Sequence, residues 1–188
     1  MARCLVLLSV AACAGPGAAR NPQAVRLIAP PGDGGRQSLT LRRTVQGMPY
    51  LFGSFAVCLD RAGAAEVTGV RFENSRGGLA VQEFALRPFY RGFGEDGVGW
   101  GEPVGLRQRG VSTASRTVTQ VCLPEDYSRV EFSEVVLQIS RPTATSAWSP
   151  GFVITYDSGG AEGTFRIPFG ITLCAPSDRT LPNCRPDA

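Results

Sequence analysis

Short apolar runs recur along this chain and are separated by clusters of turn-forming residues. Within residues 134–140, Val135, Leu137 and Ile139 alternate with mostly polar neighbours, and residues 163–173 show the same two-residue period. This period is typical of a β-strand with one buried face. It predicts eight strands, near residues 38–44, 51–60, 66–73, 79–87, 117–123, 134–140, 151–156 and 163–173.

Turn signals between the runs support this interpretation. Residues 74–78 and 157–162 are rich in glycine and include asparagine or aspartate, residues that close tight turns between strands. No run has the 3.6-residue period of a long amphipathic helix. About eight strands over residues 35–188 predict a single all-β domain, an antiparallel β-sandwich.

The N-terminal segment has a different composition. Arg3 precedes a short apolar run, Leu5–Leu8, and small residues then lead to Cys13. This order is that of a secretory signal over residues 1–12. Residues 13–34 are mostly small and turn-forming, which is typical of a flexible tether.

The segment Val10-Ala11-Ala12-Cys13 resembles the lipobox of bacterial lipoproteins. The resemblance implies cleavage before Cys13 and attachment of lipid to its sulfur and its new amino group, so that the membrane is one partner. It also implies a small bacterial lipoprotein of unassigned role. Two alternatives remain open: cleavage after Ala19, which gives a free secreted protein, and an uncut N-terminus.

Composition restricts the chemistry more than any motif does. The chain has no histidine, and all 19 of its basic residues are arginine. This excludes Ser-His-Asp and Cys-His nucleophiles, imidazole zinc sites, the P-loop lysine and Schiff-base chemistry. The net charge of +3 gives no support to nucleic-acid binding. We therefore predict no nucleic-acid partner, no metal and no cofactor, and we leave carboxylates, tyrosine and thiols as the groups available for catalysis.

Four cysteines lie beyond the signal and the lipobox: Cys58, Cys122, Cys174 and Cys184. Three pairings of four cysteines are possible. We predict that Cys174 and Cys184 close a small ring in the turn-rich tail, and that Cys58 and Cys122 join distant strands. Such bridges are typical of an oxidising compartment, and the alternative is four buried, reduced thiols.

The spacing of Cys58 and Cys122 also resembles the bridge between the two sheets of immunoglobulin-like sandwiches, in the broad sense. The strict pattern is incomplete, because no tryptophan follows Cys58 at the expected distance and Gln120 stands where that family has tyrosine. The resemblance therefore implies the architecture and leaves the strand topology open.

The most irregular segment runs over residues 88–115 and holds many glycines. Long connections of this kind often carry function. Exposed aromatic rings beside carboxylates would stack on a sugar or on a partner surface; alternatively, the rings pack the loop onto the sandwich. The candidate binding-loop residues are Phe89, Tyr90, Phe93, Glu95, Asp96, Trp100 and Glu102.

Two short motifs are interpreted as coincidental. Gly92, Gly94 and Gly97 form a GxGxxG pattern, but two acidic residues lie where a pyrophosphate would bind and no helix pattern follows. Asp157-Ser158-Gly159 matches the aspartic-protease signature in one copy only, and the following glycine predicts a hairpin turn instead.

These observations favour a non-enzymatic, exported envelope protein that is lipid-anchored and presents its sandwich to a cell-wall component or a protein partner. The alternative is an extracellular hydrolase of glycans or peptides that works with a pair of carboxylates, for which we identify no catalytic residue. Paired carboxylates roughly 5 to 9.5 Å apart in a cleft would favour the hydrolase.

Overall fold

The computed structural model describes residues 24–30, 37–90, 98–122 and 131–185, with the side chain of Tyr90 left out. Within these residues the backbone forms twelve strands and one 3₁₀ turn, Pro182–Cys184, but no α-helix. The strands are β1 (Leu27–Ile28), β2 (Gln37–Leu41), β3 (Tyr50–Leu59), β4 (Ala65–Phe72), β5 (Ala80–Tyr90), β6 (Trp100–Glu102), β7 (Thr117–Val118), β8 (Glu131–Ser140), β9 (Ala147–Ser149), β10 (Phe152–Ser158), β11 (Ala161–Ile167) and β12 (Phe169–Leu173).

The strands form three sheets. In the largest the order is β1-β3-β8-β5, and β6 also pairs with β3. A four-stranded sheet has the order β11-β10-β4-β7, and a small third sheet has the order β2-β12-β9. All pairings between strands are antiparallel except that of β2 with β12. The predicted fold class, an all-β sandwich, is confirmed.

The main core lies between the sheets. Strands β3, β8, β10 and β12 each contribute side chains that are fully buried, among them Phe52, Leu137, Ile154 and Ile171. Aromatic rings fill its centre: the ring of Phe55 lies 4.9 Å from that of Phe152 and 5.0 Å from that of Phe169, both edge to face. Such pairs add about 0.5–1.5 kcal/mol each beyond the area that they bury.

A second, smaller core covers the outer face of the largest sheet. Leu51 and Val136 face away from the main core and pack with Val98 and Leu106 from the connection between β5 and β7. The N–H of Leu106 also donates to the side chain of Gln138 in β8, at 2.9 Å. The described part of the irregular segment is therefore fixed to the sandwich by aliphatic side chains.

Most predicted strands are present, with altered ends. The strand predicted over residues 163–173 is two strands, because Pro168 has no N–H for a ladder and the chain changes partners there, from β10 to β2 and β9. The strand predicted over residues 117–123 is reduced to Thr117–Val118 and an isolated bridge at Val121. Strands β1, β6 and β9 have two or three residues, too few to show an alternating pattern.

The predicted tether contains a strand that belongs to the sandwich. Val25 and Leu27 are buried, and β1 pairs with the end of β3. The N–H of Val25 donates to Ser158 Oγ at 2.9 Å. Residues 24–30 therefore pack on the domain and are not a flexible tether. In the sequence these residues show only a short apolar stretch among small residues, which did not predict a strand. The predicted signal, Cys13 and the remainder of residues 13–34 lie outside the described residues.

The hairpin turn predicted in place of a protease motif is confirmed. Strands β10 and β11 are joined by Gly159 and Gly160, which have φ angles of 59° and 78°. Two successive positive φ angles define the tight turn that suits the twist of a hairpin. Asp157 accepts a hydrogen bond from the N–H of Gly160 at 3.1 Å, so its carboxylate stabilises its own turn.

Both predicted disulfides are present. Cys58 lies in β3 and bonds to Cys122 with a Cα–Cα distance of 5.3 Å, and Cys174 bonds to Cys184 at 5.4 Å. The stretch before Cys122 begins in β7, which pairs with β4 of the second sheet. The Cys58–Cys122 bridge therefore ties the two larger sheets together.

The C-terminal ring has a second stabilising contact that the sequence did not indicate. Asp178 accepts hydrogen bonds from the N–H groups of Ser146 at 2.6 Å and Thr180 at 2.9 Å. Because these bonds favour the charged form, they hold the pKa of Asp178 well below its usual range. The ring is thus joined to the turn between β8 and β9 by a carboxylate as well as by its own disulfide.

Removing the two disulfides is expected to have unequal effects on stability. Replacing Cys58 and Cys122 together by alanine should lower the free energy of unfolding by about 4 kcal/mol, since that bridge spans 64 residues. The Cys174→Ala/Cys184→Ala variant removes a bridge that spans 10 residues and should lose about 3 kcal/mol. Urea unfolding of the three proteins measures both losses. An equal or larger loss for the short ring would contradict this account.

Candidate functional site

An aromatic cleft of about 390 Å³ opens beside the middle of β3. Its apolar wall includes Phe55, Trp100, Phe165 and Phe169, which come from β3, β6, β11 and β12. The polar groups of its lining are on Gln37, Ser54 and Arg166. The cleft is therefore formed where strands of all three sheets meet, and we refer to it below as the aromatic cleft.

Trp100 is the exposed ring of this cleft. Its residue is 45% exposed, although large apolar side chains are usually covered. The indole N–H donates to the carbonyl oxygen of Gly53 at 2.8 Å, and the ring lies 5.3 Å from that of Phe169. The hydrogen bond and the ring contact together fix the orientation of Trp100.

A bulge in β3 creates the acceptor for Trp100. The register between β3 and β8 shifts between Phe52 and Phe55, and Ser54 has a φ angle of 63°, which is unusual for a residue other than glycine. At Gly53 a Cβ atom would lie 2.5 Å from Glu134 Oε1 and 2.6 Å from the carbonyl oxygen of Val98. Only glycine fits at this position without a shift of its neighbours.

The bulge is held by a buried carboxylate. Glu134 in β8 is fully buried; its Oε1 accepts a hydrogen bond from the N–H of Ser54 at 2.5 Å, and its Oε2 forms an ion pair with Arg87 Nε. Burial of a carboxylate is tolerated only where it is paired and hydrogen-bonded, as here. In the alternating pattern of β8, Glu134 was expected on the solvent face, so the sequence did not indicate this role.

The aromatic cleft lies at an edge of β3 that other strands cover only in part. β1 pairs with this edge at Cys58, and β6 pairs with it at Phe52. Between these points, Ser54 is exposed and Ala56 is half-buried. In the part of the chain that the structure describes, no strand pairs with this stretch on the side opposite β8.

The predicted binding-loop residues are not gathered in one place. Trp100 lines the aromatic cleft, whereas Phe89 pairs with Phe132 at the opposite edge of the largest sheet, where Tyr90 ends β5. Glu102 pairs with Leu51 and forms an ion pair with Arg109 at 3.1 Å. The remaining candidates, Phe93, Glu95 and Asp96, lie outside the described residues.

Sequence reasoning missed the partners of Trp100. The alternation over residues 163–173 did place Phe165 and Phe169 on one face, but that pattern is the same for any core strand. The positions of Ser54 and Gly53 follow from the bulge, which depends on a contact with β8 eighty residues away in the sequence. Only the isolated, glycine-flanked tryptophan was a usable signal.

Two other clefts have arginine side chains in their lining. One of about 260 Å³ beside the Cys174–Cys184 ring is lined by Arg42, Arg43 and Arg179. Another, of about 290 Å³, is lined by Arg87 and Arg109 together with serines and aliphatic residues. Neither these two nor the aromatic cleft has an aspartate or glutamate among its described lining residues. Among the residues described, no group of cysteines and carboxylates is arranged to hold a metal ion.

Comparison with known proteins gives no family. No protein-family model matches this chain, and no curated protein sequence matches it. One solved structure that it resembles is that of the Vibrio cholerae VesB protease, with a TM-score of 0.33 and 12% sequence identity. The match covers 81% of this chain, which spans 32% of the length of that protein.

The disulfides bear on the compartment. Paired disulfides are typical of exported proteins, and both predicted bridges are present. Within the four described ranges, no helix has the length and apolar character needed to cross a bilayer.

The Glu134→Gln variant tests whether the buried carboxylate of Glu134 supports the bulge in β3. The amide keeps an acceptor for the N–H of Ser54 but removes the charge that pairs with Arg87, so we expect unfolding to become easier by about 2–3 kcal/mol. Glu73→Gln is the matched control, since Glu73 pairs with Arg166, whose side chain is 53% exposed, and should cost at most about 0.5 kcal/mol. Chemical denaturation measures both changes. Similar losses for the two variants would show that the Glu134 pair is not a buried support.

Proposed function

We propose that this protein is a non-enzymatic, exported module that binds a partner through the aromatic cleft. The observation that carries the proposal is the exposed ring of Trp100, fixed at the mouth of an apolar cleft by Gly53 and Phe169. A rigid tryptophan offers a large contact area with little loss of side-chain freedom, and such rings are frequent anchors of binding sites.

The chemistry of the cleft supports binding. Its described residues offer ring faces and aliphatic surface, together with hydrogen-bonding groups on Gln37, Ser54 and Arg166. The nearby carboxylate, Glu134, is fully buried and is held by Ser54 and Arg87. These groups supply stacking, apolar contact and hydrogen bonds, which suit recognition of a wall component or a protein better than hydrolysis.

The N-terminus supports a location at the cell envelope. We propose that residues 1–12 are removed as a signal and that Cys13 carries lipid, with the residues after it acting as a spacer. The lipobox-like sequence and the two disulfides support this location. We also propose that the sandwich is immunoglobulin-like in the broad sense, for which the Cys58–Cys122 bridge between sheets is the support.

The anchor is tested by expressing the full chain in a bacterium that processes lipoproteins. We expect the protein in the membrane fraction, with an intact mass that corresponds to a chain starting at Cys13 plus two or three acyl chains. Cys13→Ser should lose both properties, whereas the matched variant Cys4→Ser, within the signal, should keep them. An unmodified chain beginning at Arg20 would falsify lipidation and leave a secreted protein.

The cleft is tested by co-sedimentation of the full chain, in a Cys13→Ser background that removes the proposed lipid, with purified cell-wall sacculi and with washed envelope membranes of the expression host. Trp100→Ala should lose most of the retained protein, because the anchor ring is absent. Val45→Ala is the control, since Val45 is 54% exposed but lies outside the cleft. Both variants should melt within a few degrees of the wild type. Equal retention of Trp100→Ala and wild type on both materials, or release of soluble fragments by the wild type, would refute a binding role for the cleft.

A further inference from the structure

We propose that the occupant of the aromatic cleft is an extended peptide segment of a partner protein, which adds as a strand to the edge of β3 that no described strand covers. This inference rests on the proposed function, because it takes the cleft as a binding site. Strand addition is a general mode of peptide recognition in which backbone hydrogen bonds give affinity and alternate side chains give specificity.

The hydrogen bonds around the end of β3 show which side its backbone groups face. The N–H of Asp60 donates to the carbonyl oxygen of Arg26 at 3.0 Å, on the side of β1. The N–H of Leu59 donates to Gln120 on the other side. Successive residues of a strand face opposite sides, and the register is regular from Phe55 onwards. The N–H and C=O of Ala56 therefore face the side of β1, where the cleft lies.

These two groups have no hydrogen-bond partner in the described part of the chain. β1 ends at Ile28, which lies opposite Cys58, so the next outward-facing residue of β3 is Ala56. The residue that would continue the ladder from Ile28 is Pro30, which has no N–H to donate. Ala56 is half-buried beside the open cleft, and unpaired N–H and C=O groups on a strand edge form a template with which another extended segment can pair.

The same edge is already used for strand pairing at both ends. β1 pairs with β3 at residues 58–59 and β6 pairs with it at residues 51–52, so an incoming segment continues an existing set of contacts. The stretch between them, residues 53–57, is five residues long, and the carbonyl oxygen of Gly53 within it already accepts a hydrogen bond from Trp100. It therefore accommodates a short extended segment and not a complete strand.

Side-chain directions fix what the segment carries. A residue opposite Phe55 points to the same face as Phe55, towards Phe165 and Phe169 in the wall of the cleft. The volume of about 390 Å³ accepts a leucine or a larger apolar side chain. Arg166 is the one charged side chain among the described lining residues. Arg166 already pairs with Glu73 through its Nε, so the preferred segment is apolar at alternate positions and its flanking charges add little to affinity.

Amide exchange of the full chain tests the free edge without a ligand. The Ala56 amide should exchange at least about 100-fold faster than that of Val57, which bonds to β8. Measurement by NMR at several protein concentrations also detects self-association. Equal protection of the two amides would overturn the proposal, because the edge would then be covered by the chain itself or by a second copy.

A synthetic peptide tests the occupant. The probe is the peptide acetyl-Glu-Leu-Thr-Val-Glu-amide. The control is the same peptide with an N-methyl group on threonine, which removes one backbone hydrogen-bond donor. Binding to the full chain is followed by the fluorescence of Trp100 in a Trp148→Phe background. We expect the methylated peptide to bind about tenfold more weakly.

Variants of β3 provide the matching test on the protein. Ala56→Pro removes the N–H that faces the cleft, which an edge strand tolerates, and should weaken the unmodified peptide about tenfold. Ala56→Ser keeps the N–H and should bind normally. If Ala56→Pro does not fold, the methylated peptide alone decides the question.

The outcomes separate this inference from the proposed function. Equal binding of the two peptides, or no binding of either while sedimentation still depends on Trp100, would overturn strand addition and leave the cleft as a binding site. Trp100-dependent binding of a wall oligosaccharide in place of the peptide would do the same. Loss of Trp100 dependence in sedimentation would instead overturn the proposed function.

Discussion

The hydrogen bond from the backbone of Ser54 to the buried carboxylate of Glu134 determines the shape of the candidate site. Without that acceptor, the bulge in β3 would leave an N–H group unpaired inside the sheet, at a cost of about 1–3 kcal/mol. With it, the strand accommodates one additional residue, and the carbonyl oxygen of Gly53 accepts the hydrogen bond from the indole of Trp100. Arg87 supplies the countercharge that makes the buried carboxylate tolerable. One ion pair in the largest sheet thus supports the bulge, the ring and the cleft beside them.

The architecture followed from the sequence because it depends on local patterns. Alternation over residues 134–140 predicts a strand, which in the structure extends over Glu131–Ser140, and glycine pairs predict a turn such as that of β10 and β11, without reference to the rest of the chain. The disulfides followed from the number and position of the cysteines. Strand β1 has only two residues, too few to alternate, and it was not predicted.

The site did not follow from the sequence because it depends on contacts between distant segments. Glu134 alternates with apolar residues and therefore looks like a surface residue; its burial depends on the segment around Val98, which covers the outer face of the sheet. In the sequence, Phe165 and Phe169 look like core residues. Of the aromatic cleft residues, only Trp100 was predicted as a candidate binding residue. Residues whose local sequence pattern disagrees with their place in the structure often belong to functional sites. Such a disagreement lowers stability, and folding alone would not require that loss.

We propose that Trp100 is the contact ring of a binding site. The chain has two tryptophans, and Trp148 lies in β9 with Arg76 above its ring, so the two indole resonances report on different places. The most direct measurement is the ¹⁵N–¹H spectrum of the indole groups while sonicated cell-wall fragments or the acidic peptide are added to the full chain. The account predicts that the Trp100 resonance moves or broadens and that the Trp148 resonance does not. Equal changes at both rings, or no change at Trp100 with a ligand that binds, would contradict it.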